Sequence, residues 1–266
     1  MRGLFKFEEN YSYKMPVHFG GVPFYPVRTT HHDMTCICVS YETEMEALAR
    51  FVPEDFEILE PVVNVQFANS RDVEWMSGGE YRLIQLSAPA RYEGNDEGLT
   101  GEYILVIWEN RTCPIIGGRE EDGMPKIFAD IACERHAGNK WFTHAAYECS
   151  TFLYLELDRG RELFGREIQD MNKIGPANMF GWRFIPNLGM GGAALSHASL
   201  YPQETTVSRG WVGEGSIKWT VPAPEHHPQQ YGIIASLAGL PVVRYRDGVM
   251  LKTSHRLNVG DSRVLP

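Results

Sequence analysis

Stretches of β-branched, aromatic and aliphatic residues recur along most of the chain and are separated by clusters of Gly, Asn and Pro. Such stretches are typical of β-strands. The predicted strands cover residues 34–41, 62–68, 81–92, 102–110, 141–157 and 215–221. Residues 1–30 are rich in aromatic residues, Gly and Pro, and are predicted to form an extended arm that packs on the body or on a neighbouring subunit.

Helical spacing of apolar residues occurs in three regions. Thr43 and Glu46 have the pattern of a capping box, and the helix that follows is predicted to end at Pro53. Further helices are predicted over residues 161–173 and near residues 230–240. Because strands are many, helices few and regular β–α alternation lacking, the pattern indicates an α+β fold that is mostly antiparallel β. A barrel or curved sheet with peripheral helices fits this pattern best.

Composition narrows the classes of function. The 266 residues are 43% hydrophobic and 22% charged, which is too apolar for a disordered chain and sufficient for a sizeable core. Since no linker or repeat divides the sequence, residues 1–266 are predicted to form one domain. The 34 acidic and 25 basic residues give a net charge of −9, which disfavours nucleic acid and anionic membranes as partners.

The termini and cysteines suggest a cellular location. No apolar run reaches the length of about 18 residues that a transmembrane helix needs, and the N-terminal segment lacks the apolar core of a secretory signal. The five cysteines are an odd number, which favours reduced thiols. The sequence therefore predicts a cytoplasmic protein, either an enzyme or a small-molecule binder.

The segment GGREEDGMPKIFADI, residues 117–131, places one lysine among apolar neighbours. Pro125 fixes the backbone that leads into Lys126, and an Ile-Phe-Ala run follows. Burial disfavours the charged form of an amine, and a neutral amine can attack a carbonyl group. The alternative is an ordinary surface lysine with a solvated ammonium group.

The same segment resembles the signature of the acetoacetate decarboxylase-like superfamily, G-R-E-x-x-G-x-P-K. The matching residues are Gly118, Arg119, Glu120, Gly123, Pro125 and Lys126. Further landmarks of this superfamily follow in the same order at residues 15–20, 46–58, 88–94, 101–110, 179–187 and 211–219. The resemblance covers most of the chain from residue 15 to residue 221.

The resemblance implies a closed, cone-like antiparallel β-barrel with peripheral helices, assembled as a homo-oligomer of four or more subunits. It also implies that Lys126 forms a Schiff base with a small oxo acid. The imine would stabilise a carbanion after loss of CO₂, or an enamine that attacks an aldehyde co-substrate. No metal or nucleotide cofactor is implied.

Three positions depart from the pattern of the decarboxylases. Ile127 occupies the position where the decarboxylases have a second lysine, and Met34 occupies the position of their arginine in the early strand. Leu83 occupies the position six residues before Pro89 where a glutamate is expected. These changes favour a pyruvate aldolase-dehydratase or a hydratase of unsaturated oxo acids. Acetoacetate decarboxylase is the alternative, and a non-catalytic barrel that binds a small molecule is a further alternative.

The missing glutamate leaves the acid–base group to be assigned. Glu80 is the candidate, although on a regular strand it faces away from Leu83 unless a bulge intervenes. Gln85 lies on the same strand face as Leu83 and is a candidate for orienting the substrate.

The remaining candidates have weaker support. Arg119 and Glu120 come with the motif, and they either contact the substrate or brace the loop that carries the lysine. Tyr245 is predicted to line the mouth of the barrel and to meet an aldehyde. The run 31–33, His-His-Asp, has two interpretations, a metal or acid–base cluster and a polar strand end. Its three adjacent side chains cannot all face one site.

Overall fold

The computed structural model describes residues 1–23, 28–94 and 98–266, and most of these residues lie in strands. The strands are β1 (Tyr11–Ser12), β2 (Val22–Pro23), β3 (Thr29–Glu42), β4 (Phe56–Ile58), β5 (Val62–Val73), β6 (Gly79–Tyr92), β7 (Thr100–Glu109), β8 (Lys126–Phe128), β9 (Asp130–Ile131), β10 (Arg135–Ala137), β11 (Lys140–Tyr147), β12 (Ser150–Glu162), β13 (Ala177–Pro186), β14 (Ala193–Trp219), β15 (Arg244–Tyr245), β16 (Asp247–Leu257) and β17 (Arg263–Leu265). The α-helices are α1 (Met45–Ala49), α2 (Thr112–Glu120), α3 (Gly165–Met171) and α4 (Tyr231–Ala238). Short 3-10 turns lie at Val17–Phe19, Glu74–Met76 and Val259–Asp261.

Seven strands close into a ring through their backbone hydrogen bonds. Their order is β14–β13–β7–β6–β5–β3–β16, and β16 pairs with β14 again. Each of these contacts is antiparallel except the parallel one between β13 and β7. The predicted fold class, mostly antiparallel β with a few peripheral helices, is confirmed, and the closed sheet is this ring of seven strands.

Alternation along the strands separates an inner face from an outer face. In β5, Val65 and Phe67 belong to the main hydrophobic core, whereas Gln66 and Ala68 line a cavity inside the ring. The core also contains side chains of β12 and α4, among them Leu155. The apolar face of the ring is therefore covered from outside, and the opposite face encloses the cavity.

Helices form in all three predicted regions, but two of them begin differently. No side-chain hydrogen bond caps α1, which starts after Glu44, so the capping box predicted for Thr43 does not form. Helix α3 begins at Gly165 rather than at residue 161, because Arg161 and Glu162 still pair with β14.

The structure has two features that the sequence analysis did not predict. Residues 141–157 read as one strand, but β11 and β12 are separated by a turn at Glu148 and Cys149, both of which have positive φ. Helix α2 has no predicted counterpart because its sequence contains one proline and two glycines, which are poor helix formers.

The N-terminal segment contacts the body through an ion pair at Lys14. Residues 24–27 of the predicted arm lie outside the described residues. In the described part, Phe7 packs against Tyr13 with ring centroids 5.1 Å apart, and Lys14 Nζ lies 3.0 Å from Glu121 Oε2 beyond α2. Among the helices of the described ranges, none has both the length and the hydrophobicity required to cross a membrane.

Candidate active site

The ring encloses a cavity of about 100 Å³, and each of its seven strands contributes side chains to the wall. Its polar groups include His31, Tyr81, Gln85, Glu109, Lys126 and Tyr201. A water molecule needs roughly 10–15 Å³ on this measure, so the cavity holds about seven to ten water-sized groups. A small organic acid or ketone has this size.

Lys126 and Glu109 form an ion pair at the cavity wall. Lys126 Nζ lies 2.9 Å from Glu109 Oε1, and the side chains are 13% and 0% exposed. The parallel pairing of β8 with β7 sets Lys126 opposite Ile107, and Glu109 lies two residues further along the same strand face. Burial raises the pKa of Glu109, although the charge of Lys126 opposes this rise. The arrangement suits transfer of one proton between the amine and the carboxylate.

Helix α2 and the loop after it hold the lysine in place. A Cβ atom on Gly118 would lie 2.8 Å from Lys126 Nζ and still closer to the Lys126 side-chain carbons, so any larger residue there would force the Lys126 side chain to move. Arg119 Nη1 donates a hydrogen bond to the carbonyl oxygen of Lys126 at 3.0 Å. Gly123 turns the chain with a φ of 71°, and Met124 N then donates to the carbonyl oxygen of Gly118 at 2.9 Å.

A second acid, Asp122, is partly buried and interacts electrostatically with Lys126. Burial raises its pKa to about 6, and the charge of Lys126 opposes this rise. Ser262 Oγ donates to Asp122 Oδ1 at 3.4 Å. Burial, followed by the charges of Glu109 and Asp122, raises the pKa of Tyr81. The surroundings of Lys126 therefore contain more acidic than basic groups.

The raised pKa of Asp122 predicts a pH-dependent gain of stability in Asp122→Asn. The folded state holds the Asp122 proton more tightly than the unfolded state, so stability falls as pH rises from about 4 to about 6 and stays low above that range. We expect the substitution to raise the free energy of unfolding by about 2–3 kcal/mol at pH 7.5. Near pH 4 the gain should vanish.

Denaturant titrations at the two pH values measure this difference. Asp247→Asn, at an exposed position, is the matched control and should change stability by less than about 0.5 kcal/mol at either pH. If Asp122→Asn raised the free energy of unfolding equally at pH 4 and pH 7.5, the raised pKa of Asp122 would be contradicted.

A comparison with known proteins identifies the family. The family model named acetoacetate decarboxylase (ADC) matches residues 14–261. The chain belongs to the acetoacetate decarboxylase family. A curated relative in this family, the acetoacetate decarboxylase of Burkholderia mallei, is 24% identical over 256 residues, which cover 94% of this chain and 93% of that protein. The resemblance seen in the sequence is thereby confirmed.

Solved structures with family folds are similar to this chain. The acetoacetate decarboxylase of Legionella pneumophila has a TM-score of 0.74 at 20% identity and covers 100% of this chain and 92% of that one. The enduracididine biosynthesis enzyme MppR, complexed with pyruvate, has a TM-score of 0.72 at 15% identity, with coverage of 97% and 99%. At these identities the likeness establishes the shared fold.

Two of the three departures from the family pattern lie at the cavity itself. Met34 and Leu83 both line the wall, so thioether and aliphatic groups occupy the positions of the expected arginine and glutamate. Ile127 pairs with Trp108 and packs against the main core, facing away from Lys126.

The structure places Glu80 outside the cavity. Its side chain is 47% exposed and lies 3.9 Å from the guanidinium group of Arg82. The β-bulge beside this end of β6 lies in β5, where one extra residue is inserted between Ser70 and Val73. The alternation of β6 is therefore unbroken, and Glu80 faces away from the cavity. Glu109, rather than Glu80, is the carboxylate beside Lys126.

The other predicted site residues divide into two groups. Gln85 lines the cavity and is 9% exposed. Tyr245 does not line it, because its hydroxyl group donates to the carbonyl oxygen of Ile217 and accepts from the amide nitrogen of Ile217, both at 3.2 Å. Arg119 and Glu120 lie outside the lining, and both take part in contacts with backbone carbonyl groups, Glu120 by accepting from Arg183. The Arg119 side chain thus braces the lysine loop, whereas Glu120 contributes a main-chain carbonyl group.

The run 31–33 is also resolved by its surroundings. His31 is 1% exposed and lines the cavity, whereas His32 Nε2 lies 3.0 Å from Glu74 and Asp33 binds Arg71. In the described ranges, no group of three or more His, Cys, Asp and Glu side chains is arranged to hold a metal ion.

Sequence reasoning missed Glu109, Asp122 and the exposure of His31 to the cavity. One signal pointed to Glu109, because a single carboxylate follows the apolar run YILVIW of a predicted strand. A charged group in a buried strand is nearly always paired, and Lys126, in the motif that follows this strand, is its partner in the structure.

Proposed function

We propose that this family member is a lyase that condenses Lys126 with the ketone of a small oxo acid. The ion pair of Lys126 and Glu109, nearly excluded from solvent at the wall of a small cavity, is the observation that carries the proposal. No metal or nucleotide cofactor is required, because the imine itself is the electron sink.

Imine formation needs a proton acceptor and later a proton donor. Glu109 takes a proton from the Lys126 ammonium group, and the neutral amine attacks the ketone carbon to give a carbinolamine. Glu109 then returns the proton to the hydroxyl group, which leaves as water, and the protonated imine remains. The raised pKa of Glu109 supports this exchange, because a carboxyl group that holds its proton more readily is a better donor.

The protonated imine then draws electrons from a neighbouring bond. With pyruvate, transfer of a proton from the methyl carbon to the Glu109 carboxylate gives an enamine, which attacks an aldehyde before water is eliminated. We favour this aldolase-dehydratase reaction, or the related hydration of an unsaturated oxo acid, because Met34 and Leu83 replace polar groups of the decarboxylase pattern. The pyruvate complex of the similar enzyme MppR supports the choice of substrate class.

Decarboxylation of a 3-oxo acid is the second candidate. The curated relatives are acetoacetate decarboxylases, and loss of CO₂ from an acetoacetate imine requires the same lysine. The two candidates share the covalent step and differ in the bond that breaks next.

Borohydride reduction separates the candidates. The protein is incubated with pyruvate or with acetoacetate, reduced, digested and analysed by mass spectrometry for an adduct on the peptide that contains Lys126. An adduct with pyruvate alone supports the aldolase-dehydratase branch, and efficient CO₂ release from acetoacetate supports the decarboxylase. No adduct with any oxo acid would contradict the whole class and leave the non-catalytic binding barrel.

The close packing of Gly118 against the lysine gives a sharper test of geometry. Gly118→Ala should displace the Lys126 side chain from Glu109 and slow borohydride trapping by about 100-fold, because small misplacements of reacting groups are costly. Gly117→Ala is the matched control in the same helix, since its Cβ would lie 3.4 Å or more from its nearest neighbours. Equal trapping rates in the two variants would refute the positioning role of α2.

Domain organisation, assembly and location remain proposals. We propose one domain over residues 1–266, since the ring joins strands from β3 to β16.

We also propose a homo-oligomer of four or more subunits. Exposed apolar side chains near the N-terminus, including Leu4, Phe7 and Phe19, support this assembly, and a light-scattering mass equal to one 30.2 kDa chain would contradict it. All five cysteines are free, which supports a cytoplasmic location that fractionation can test.

A further inference from the structure

His31 is a buried histidine whose two ring nitrogens have no hydrogen-bond partner among the described residues. Its ring is held at the cavity wall by Tyr81, edge-on at 5.6 Å, and by His255 at 6.1 Å. Buried polar groups nearly always have partners, so an imidazole without one, at the wall of a cavity, indicates a position where a ligand binds.

The neighbouring histidine is already occupied. His255 is the cross-strand partner of His31, and its Nδ1 lies 2.9 Å from Thr205 Oγ1. Its Nε2 lies 2.9 Å from Gln203 Oε1, which can only accept, so Nε2 carries the proton and Nδ1 accepts from the threonine. These hydrogen bonds fix the ring of His255, whereas the ring nitrogens of His31 have no hydrogen-bond partner among the described residues.

The described residues that line the cavity include no unpaired cation. Lys126 is the one lysine or arginine among them, and it forms an ion pair with Glu109. Burial lowers the pKa of His31 to about 3 and that of His255 to about 4, so both rings are neutral near pH 7. The carboxylate of an oxo acid must therefore be held by neutral donors, since an unpaired buried charge is costly.

We propose that His31 binds the carboxylate of the oxo acid, donating a ring N–H to a carboxylate oxygen while Lys126 reacts with the ketone. This inference rests on the proposed function and adds the group that distinguishes an oxo acid from a plain ketone. A hydrogen bond to an ionised acceptor is about twice as strong as one between neutral groups, so His31 contributes selectivity as well as affinity.

Pyruvate and acetone test the proposal, because acetone keeps the methyl ketone and lacks the carboxylate. His31→Leu should raise the pyruvate concentration for half-maximal borohydride trapping by roughly 10- to 100-fold and leave that for acetone unchanged. His31→Gln keeps an N–H donor and should recover most of the loss. Equal effects on both ketones, or no effect on either, would overturn the role of His31 while leaving the imine in place.

A second measurement needs no substitution at His31. In ¹⁵N-histidine-labelled Lys126→Ala protein, which cannot form the imine, pyruvate should shift the ring nitrogen signals of His31 and acetone should not. Unchanged His31 signals at saturating pyruvate would overturn the inference. Absence of trapping by the unsubstituted protein with both ketones would instead overturn the proposed function, together with the inference that rests on it.

Discussion

Lys126→Ala is expected to abolish borohydride trapping and to lower kcat/KM for the oxo acid by three orders of magnitude or more. The substitution removes the nitrogen that forms the covalent bond, and no other lysine among the described residues lines the cavity. Loss of a covalent nucleophile typically reduces catalysis to what binding and the remaining polar groups supply. Steady-state kinetics and the mass of the reduced protein measure both effects.

The folded state should tolerate this substitution. Removing one member of a buried ion pair costs about 3–5 kcal/mol when the other remains charged. Burial already raises the pKa of Glu109 and the charge of Lys126 opposes this rise, so without Lys126 the carboxylate takes up a proton more readily and the cost is smaller. Lys140→Ala, at a half-exposed lysine 3.4 Å from Glu156, is the control and should retain full trapping. An undiminished adduct in Lys126→Ala would refute the assignment of the nucleophile.

Glu109→Gln is expected to have the second largest effect and a distinctive signature. The carboxylate stabilises the ammonium form of Lys126 at 2.9 Å, so its removal should move the pH midpoint of trapping to a lower value. At the same time the proton shuttle is lost, and kcat should fall by about 100- to 10,000-fold. A purely structural role would lower turnover without moving the pH midpoint of trapping.

Glu80→Gln is the matched control for Glu109→Gln. It makes the same chemical change, from carboxylate to amide, on the neighbouring strand, at a position that is half-exposed and outside the cavity. We expect its kcat to stay within about twofold of that of the unsubstituted protein and its pH midpoint of trapping to stay the same, because exposed ion pairs contribute little. If Glu80→Gln reproduced the effects predicted for Glu109→Gln, the proton shuttle would be wrongly assigned.

Local signals, together with the family resemblance, were sufficient to single out Lys126 as the candidate nucleophile. The glycines, proline and apolar neighbours around Lys126 lie within a few residues of one another, and their roles in the turn and in close packing are local. Strand positions followed from β-branched and aromatic runs in the same way. Helix α2 escaped prediction because Gly118, which lowers helix propensity, is retained by the space that Lys126 requires.

The partner of the lysine depends on long-range pairing. Glu109 reaches Lys126 because β8 pairs in parallel with the end of β7 after the chain has passed through α2, and no periodicity in the sequence specifies that register. His31 faces the cavity three residues before Met34, which a regular alternation of β3 would forbid. The pairing of β3 with β16 is irregular at this point, between Thr253 and His255.

Carbon–nitrogen bond formation in solution tests the central claim most directly. Protein labelled with ¹⁵N at the lysine side chains is mixed with [2-¹³C]pyruvate, and the one-bond coupling between ¹³C and ¹⁵N is measured without any reductant. We predict a coupled signal in the unsubstituted protein that is absent in Lys126→Ala and present in Lys140→Ala. No coupled signal at saturating pyruvate, or one that survives in Lys126→Ala, would contradict covalent attachment of the oxo acid to this residue.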